Sequence, residues 1–392
     1  MSERRPHIAL YLNHLGGGGG ERAIIYLARG FAEQGLNVDF VLSSTKSPHL
    51  WRIPDSVRIV DLQAKGLLSS LKALVGYLRR EQPQTLLSAL HYPNEVAIWA
   101  KYLSGVPTRV VVCEQNTLSR KAQNETKWTK RLTPWFVRWL YPWADGIVAV
   151  SGGVFDDLLQ VTKLSPERLR IIYNPAVTNH ITQQASEPVD HPWLAADAPP
   201  VILGVGKLEA QKDFPNLLRA FAQVRAQRPV RLIVLGWGPQ KEALQNLAAT
   251  LAVADDVDFP GYVDNPYAYM ARSAAFVLSS AWEGLPFVLV EAMAVGTPVV
   301  STDCPSGPQE ILHGGEYGWL TPVGDSEALA AAIDKVLDGQ VKTVPSQWLQ
   351  QFTLENVVRQ YLDVLGIDSP AAEADVCPKA TERVARLNRK NT

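Results

Sequence analysis

Two glutamates, Glu283 and Glu291, stand eight positions apart in the stretch AWEGLPFVLVEAMAVGTPVVSTDCPSGPQEI, residues 281–311. Gly-Leu-Pro-Phe and an apolar run lie between them. Eight residues are just over two helical turns. If Pro286 opens a helix, Glu283 stands in the loop before it and Glu291 on the helix itself. The N–H groups of a helix N-terminus form an anion site. One carboxylate can then face a reacting centre while those N–H groups face a phosphate. The same spacing also suits a proline-started core helix with two solvated carboxylates.

A second cluster lies upstream, in GVGKLEAQKDFPNLLRAF, residues 204–221. Lys207 and Lys212 fall on a loop that leaves a strand. Two ammonium groups there can neutralise a diphosphate as it departs. Solvated loop lysines are the ordinary alternative. Near the N-terminus, five glycines (Gly16–Gly20) follow a short apolar strand and precede a helical pattern. Glycine lets a backbone approach a phosphate or sugar closely, and the helix aims its N–H groups there. A flexible surface loop explains the glycines equally well. A dinucleotide site fits less well: the spacing is not GxGxxG, and Asp39, read as ending the second strand, is one acidic residue only. Glu114 and Asn116, in VVVCEQNTLS, sit where they could orient a hydroxyl or cap their own loop. His91 and Asn94 lie at another expected strand end, where a lone histidine is more often structural.

These residues need elements to hold them. His7–Asn13 reads as a strand, Glu21–Gln34 as a helix with Ile24, Ile25, Leu27, Ala28 and Phe31 on one side, and Val38–Leu42 as the next strand. Helix Leu67–Arg80 and strands Thr85–Ala89, Thr108–Cys113 and Gly146–Ser151 continue the alternation. The stretch 175–200 is polar, proline-rich and aperiodic. The second half then restarts with strands at Val201, Arg231, Val257, Phe276 and Pro298, each separated from the next by a helical pattern. Alternation of this kind predicts an α/β protein with two doubly wound parallel sheets in tandem, facing across a cleft. The expected division is 1–178 for an N-terminal domain, 179–200 for a linker, 201–345 for a second domain, 346–366 for a helix returning to the first, and 367–392 for a mobile tail.

Length and composition agree. A chain of 392 residues with 46% hydrophobic content holds two cores. Cys113, Cys304 and Cys377 are scattered without metal-ligand spacing, so neither a disulfide framework nor a metal site is expected. No secretory leader and no membrane-spanning run is read, and the expected location is cytoplasmic. The net charge of −1 conceals an asymmetry: residues 1–180 carry 22 Lys+Arg against 14 Asp+Glu, and residues 181–392 carry 16 against 25. The basic half suits an anionic surface or substrate. No nucleic-acid-binding pattern accompanies it.

Taken in order, these motifs resemble the retaining glycosyltransferases of family 4. The matching pieces include the Glu-x7-Glu pair, GVGKLEAQKDF, Gly18-Gly19-Gly20-Glu21-Arg22, Tyr173-Asn174-Pro175, Phe259-Pro260-Gly261-Tyr262 and Gly307-Pro308-Gln309-Glu310. Lys207 stands where an arginine is more usual, and 114–116 lacks a histidine that many relatives place there. The resemblance implies a GT-B fold and transfer of a sugar from a nucleotide donor, UDP- or GDP-linked, with retention and without a metal or other cofactor. It implies that Glu283 contacts the donor sugar, with Glu114 and Asn116 on the acceptor side. Main-chain N–H groups of Gly284, Leu285, Pro286 and Phe287 as a segment would hold sugar and phosphate, proline itself contributing none. Glu291 would take the ribose hydroxyls, Lys207 and Lys212 the diphosphate, Tyr262 and Val263 the base, and Gly18 and Gly19 the donor from the first domain.

Residues 120–143, RKAQNETKWTKRLTPWFVRWLYPW, mix six basic residues with four tryptophans. Basic and aromatic residues together suit an anionic membrane surface. A core-facing helix with Trp135 and Trp139 turned inward is the alternative. Membrane association would fit a glycan or lipid-linked acceptor in cell-surface polysaccharide or glycolipid synthesis. A monomer or weak dimer is expected. The rival readings are a nucleotide-sugar 2-epimerase and a catalytically silent scaffold of the same fold that binds a glycan or protein partner.

Overall fold

The computed structural model describes residues 6–47, 49–124 and 131–368. Lys127, Trp128, Lys130, Cys377 and all but the first two residues of the expected tail lie outside the described residues. The chain divides after Pro175. Residues up to Pro175, together with those from Leu354 onward, form one unit, and Ala176–Thr353 form the other.

The N-terminal unit holds seven strands: β1 (His7–Leu12), β2 (Asn37–Leu42), β3 (Arg58–Asp61), β4 (Thr85–Ala89), β5 (Arg109–Glu114), β6 (Gly146–Ala149) and β7 (Leu169–Ile171). They are all parallel, in the order β3-β2-β1-β4-β5-β6-β7. The helices are α1 (Gly19–Glu33), α2 (Leu67–Glu81), α3 (His91–Ser104), α4 (Leu118–Asn124), α5 (Thr133–Leu140) and α6 (Gly152–Thr162). Helices on both faces explain why β4 is buried along its whole length and β5 from Val110 onward, rather than at alternate residues. The sequence reading did not assign β3, α3 or α6.

The second unit repeats the plan. Strands β8 (Val201–Val205), β9 (Arg231–Leu235), β10 (Val257–Gly261), β11 (Ala275–Leu278), β12 (Val299–Thr302) and β13 (Trp319–Thr321) are parallel in the order β10-β9-β8-β11-β12-β13. Between them run α7 (Phe214–Gln227), α8 (Lys241–Thr250), α9 (Pro266–Arg272), α10 (Phe287–Ala294) and α11 (Ser326–Leu337). Gly204 is required on β8, because a Cβ there would lie 2.9 Å from Leu217 and 3.1 Å from Phe214 on α7. The stretch expected as a linker is docked on this unit. Asn265 donates to the Gln184 carbonyl at 2.8 Å, and His191 pairs with Asp258 at 3.0 Å.

The last helix, α12 (Leu354–Leu365), belongs to the N-terminal unit; it is shorter than the expected 346–366, because residues 346–353 stay with the second unit. Its buried face carries Val357, Val358, Tyr361, Leu362 and Leu365. It lies so close to α1 that a Cβ on Gly30 would stand 2.4 Å from Val358. The Tyr361 hydroxyl meets the Cys113 thiol at 3.2 Å, and Arg109 donates to the Val364 carbonyl at 3.0 Å.

Asp39 lies in the middle of β2 rather than at its end. It accepts from Arg58 Nε at 2.7 Å and from the Tyr77 hydroxyl at 2.6 Å, and meets His7 at 2.9 Å. Burial works against its charge, but the bonds from Arg58, His7 and Tyr77 outweigh it and hold the carboxyl well below the usual range. Asp39 therefore ties β1, β2, β3 and α2 together, and is not placed to read a ribose.

Candidate active site

In each sheet the chain runs outward on one side of the first strand and then returns to continue on the other. That reversal opens a crevice at the strands' carboxyl ends, between β1 and β4 in one unit and between β8 and β11 in the other. Both principal sequence clusters fall there in the second unit. Lys207 and Lys212 follow β8, and Glu283 follows β11.

The structure brings Lys212 and Glu283 into contact. Lys212 Nζ lies 2.5 Å from Glu283 Oε1. Ser280 Oγ donates to the same oxygen at 2.7 Å, and Gln211 Nε2 donates to Oε2 at 3.2 Å. Glu283 is buried, so these three groups replace its hydration. Lys212 reaches it because Gly206 leaves room: a Cβ there would stand 3.0–3.2 Å from three carbons of the lysine stem. Hydrogen bonds to two backbone carbonyls fix both ends: Ala281 N–H donates to the Gln211 carbonyl at 2.8 Å, and the Ser279 hydroxyl to the Lys212 carbonyl at 2.8 Å. Neither Gln211 nor Ser280 was named from the sequence, although Gln211 adjoins Lys212 in the quoted motif.

Pro286 stands at the N-cap of α10, so the helix starts at Phe287, where the proline placed it. The positive end of its dipole faces the 284–287 segment. That segment is held from behind by the turn after β12. Gly307 has φ +96°, and a Cβ on it would lie 2.5 Å from Pro286 Cδ and 3.2 Å from the Gly284 carbonyl oxygen. Ser306 Oγ also donates to that carbonyl at 2.8 Å. Glu291 lies on α10, fully buried, and accepts from the Tyr267 hydroxyl at 3.0 Å. Nothing in the sequence marked Tyr267 as its partner.

Lys207 stands apart from the Glu283 pair, with its ammonium 5.5 Å from the centre of the Trp237 ring. The turn carrying Trp237 is clamped to the turn carrying Lys207. A Cβ on Gly236 would overlap the Gly206 carbonyl oxygen, and one on Gly238 would lie 2.4 Å from the Leu208 oxygen. Tyr262 and Val263 follow β10 at the neighbouring strand end, with the Tyr262 ring exposed.

In the N-terminal unit the glycine loop follows β1, as read. Glu21 Oε2 accepts from Gly16 N–H at 2.7 Å and from Gly18 N–H at 2.9 Å. A carboxylate of the chain itself thus sits where the loop presents its amides. Gly19 is the first residue of α1.

The 114–116 segment is more enclosed than expected. Glu114 is buried and accepts from the Tyr141 hydroxyl at 2.9 Å. Burial is the main cause that pushes its carboxyl up to about 8, against the Tyr141 bond and the Lys121 charge, with Glu95 and Asp157 adding repulsion. At neutral pH it is chiefly protonated. It can donate or hold a position there, but it is a poor proton acceptor. Asn116 accepts from Thr117 N–H at 3.0 Å, which is the loop-capping alternative. Asn94 lies inside α3 rather than in a loop, and its amide donates to the Cys113 carbonyl at 3.0 Å and to the Tyr141 hydroxyl at 2.9 Å. His91 is the first residue of α3. Leu90 before it has φ +72° and ψ 142°, a backbone strained for any residue but glycine, at the β4 end of the crevice.

Comparison with known proteins matches both units. Residues 17–180 fit the family model described as Glycosyltransferase Family 4, and residues 187–348 the one described as Glycosyl transferases group 1. The chain is similar to the N-acetylgalactosamine-N,N'-diacetylbacillosaminyl-diphospho-undecaprenol 4-alpha-N-acetylgalactosaminyltransferase of Campylobacter jejuni, at 32% identity over 64% of this chain and 66% of that protein. It is also similar to the lipopolysaccharide core biosynthesis glycosyltransferase LpsE of Rhizobium meliloti, at 28% identity over 89% of this chain and 96% of the relative. Among solved structures, Anabaena HepE in complex with UDP and glucose superposes with a TM-score of 0.75 at 21% identity, covering 92% of this chain and 99% of its own. The apo form of the lipopolysaccharide outer core galactosyltransferase WaaB superposes at 0.70, with 21% identity, 92% of this chain and 99% of its own.

Proposed function

We propose, from the premise that this chain belongs to the GT-B glycosyltransferases, that it transfers a sugar from a nucleotide-sugar donor to a hydroxyl of a glycan or lipid-linked acceptor, with retention and without a metal ion. The observation that carries this is the Lys212–Glu283 pair at the β8/β11 crevice, beside the start of α10. The donor sugar lies against Glu283, and the leaving diphosphate is met by Lys212, Lys207 and the positive end of α10. An ammonium group has three donors, so Lys212 can keep Glu283 and still bind a phosphate oxygen. Glu291 takes the ribose and Tyr262 and Val263 the base. On the acceptor side, Glu114 orients through a proton it holds rather than by removing one.

The names of the relatives favour a lipid-linked acceptor. One acts on a diphospho-undecaprenol-linked sugar and the other in lipopolysaccharide core synthesis. Cell-surface polysaccharide or glycolipid synthesis at the inner face of the membrane is the corresponding process. The donor is a UDP- or GDP-sugar, as a UDP-bound structural neighbour suggests. The test begins with thermal shift against UDP, GDP, ADP and their sugars, where stabilisation by one nucleotide marks the donor. Turnover of that donor by the wild type and by Glu283→Gln follows, with and without acceptor. Acceptor-dependent turnover lost in the variant supports transfer. Turnover without any acceptor supports the epimerase, and no binding or turnover supports the silent scaffold.

A further inference from the structure

The tryptophans of the 120–143 region that lie within the described residues are not core. Trp135, Trp139 and Trp143 are 58%, 63% and 46% exposed, and on α3 Trp99 and Tyr102 are 41% and 51% exposed. The short helix α5 is anchored by Thr133, Val137 and Leu140, which are buried, and turns Trp135, Phe136, Arg138 and Trp139 to solvent. The turn that follows brings in the α3 aromatics. The Trp143 ring lies 5.2 Å from Tyr102 and 5.8 Å from Trp99, and the Tyr102 hydroxyl donates to the Trp143 carbonyl at 3.0 Å. Trp135 packs edge-on against Phe136 at 5.2 Å and lies 6.2 Å from Trp139. Large apolar rings held in place by one another, yet left open to water, mark a surface for something else.

The charge of this stretch of the sequence says what that is. Residues 91–143 carry eight Lys and Arg against three Asp and Glu. One of the three, Glu114, is buried and largely protonated at neutral pH. Arg131 and Arg138 are exposed among the rings, while Lys101 is paired with Asp145 at 2.5 Å. Arginine with exposed tryptophan and tyrosine also occurs at protein interfaces, so the rings alone do not choose the partner; the one-sided positive charge does. An excess of basic residues beside tryptophan and tyrosine matches the headgroup layer of an anionic bilayer, where the ring sits in the apolar boundary and the cation meets phosphate.

We propose that the outer face of α5, the turn through Trp143 and the C-terminal half of α3 form a docking surface for an anionic lipid bilayer. No helix among the described residues is long and apolar enough to cross a membrane, so this contact is peripheral. It extends the lipid-linked acceptor reading, and it is tested by a binding assay that needs neither donor nor acceptor.

The experiment is flotation of the full chain with vesicles of phosphatidylcholine alone or with phosphatidylglycerol added. The wild type should float with the anionic vesicles and much less with the neutral ones. Trp135→Ser with Trp139→Ser should reduce the floated fraction at least tenfold, with the melting temperature unchanged because neither ring is buried. Arg131→Gln with Arg138→Gln should weaken binding to anionic vesicles and flatten its salt dependence, which guards against a folding defect in the tryptophan variant. A wild type that stays with the soluble fraction in both cases, or a tryptophan variant that floats as well as the wild type, overturns the proposal. So does a wild-type dimer in sedimentation equilibrium that the tryptophan variant converts to monomer, because the face is then a protein interface. Vesicle binding together with failure of every donor in the turnover assay would leave the docking surface standing and remove the catalytic reading.

Discussion

Replacing Lys212 with alanine perturbs stability and ligand binding through one atom, so the two effects can be separated. The Lys212 and Glu283 side chains are only 17% and 7% exposed, which removes this pair from the class of surface ion pairs that contribute little. Removing one partner of a buried pair costs about 3–5 kcal/mol, because the remaining charge is left in a poor medium. Ser280 and Gln211 would still donate to Glu283, which softens the loss to about 2–4 kcal/mol. Urea unfolding at pH 7 measures this. The double variant Lys212→Ala, Glu283→Gln should recover about 1 kcal/mol or more of it, since a neutral amide no longer needs a cation. Binding of the nucleoside diphosphate, followed by calorimetry, should weaken by the worth of one charge-assisted contact, about 1.5–3 kcal/mol. A stability loss below about 1 kcal/mol with no recovery in the double variant would refute the claim that the pair is a buried, mutually dependent unit. Unchanged diphosphate affinity would remove Lys212 from the phosphate site.

Three other expectations follow from the same geometry. Glu283→Gln keeps the Ser280 contact and most of the packing, so it should fold while transfer falls by at least a hundredfold; near-normal turnover would take Glu283 out of the reaction. Gly307→Ala forces a Cβ into positive φ against Pro286, and should cost about 2–4 kcal/mol and raise the KM for donor by loosening residues 284–287; a stable variant with wild-type KM contradicts the buttress. Glu114 is raised in the folded state, so its contribution to stability is complete below the ordinary glutamate range and is lost as pH rises to about 8. Glu114→Gln should therefore be more stable than the wild type at pH 9 and nearly equal to it at pH 5 in urea unfolding, and equal offsets at both would show that the carboxyl is not held protonated.

Much of the fold was legible because periodicity is local. The strand Thr85–Ala89 was read to the residue, and most of the other strand and helix boundaries given in the sequence to within two. What escaped had weak local signals. β3 has no buried residue to give a pattern. α3 begins at a strained Leu90 with a proline in its first turn, so HYPNE reads as a loop. The polar stretch after Pro175 looks like a linker because its contacts are hydrogen bonds and ring contacts to distant residues rather than an apolar stripe.

The sequence alone determined the class of the fold, the two repeats of one topology, the proline start of α10 and the identity of the charged residues at the strand ends. Those follow from spacing, turn chemistry and residue type, which are properties of neighbours along the chain. Only the tertiary structure decided which charges meet. Lys212 and Glu283 are 71 positions apart and become partners because β8 and β11 lie side by side. Glu114 and Tyr141 are likewise distant in sequence, and their enclosure reverses the expected role of a carboxylate by making its proton costly to lose. The tryptophans of α5 could have been core or surface by pattern alone. Their exposure was settled by Val137 and Leu140 filling the only buried side of a helix eight residues long.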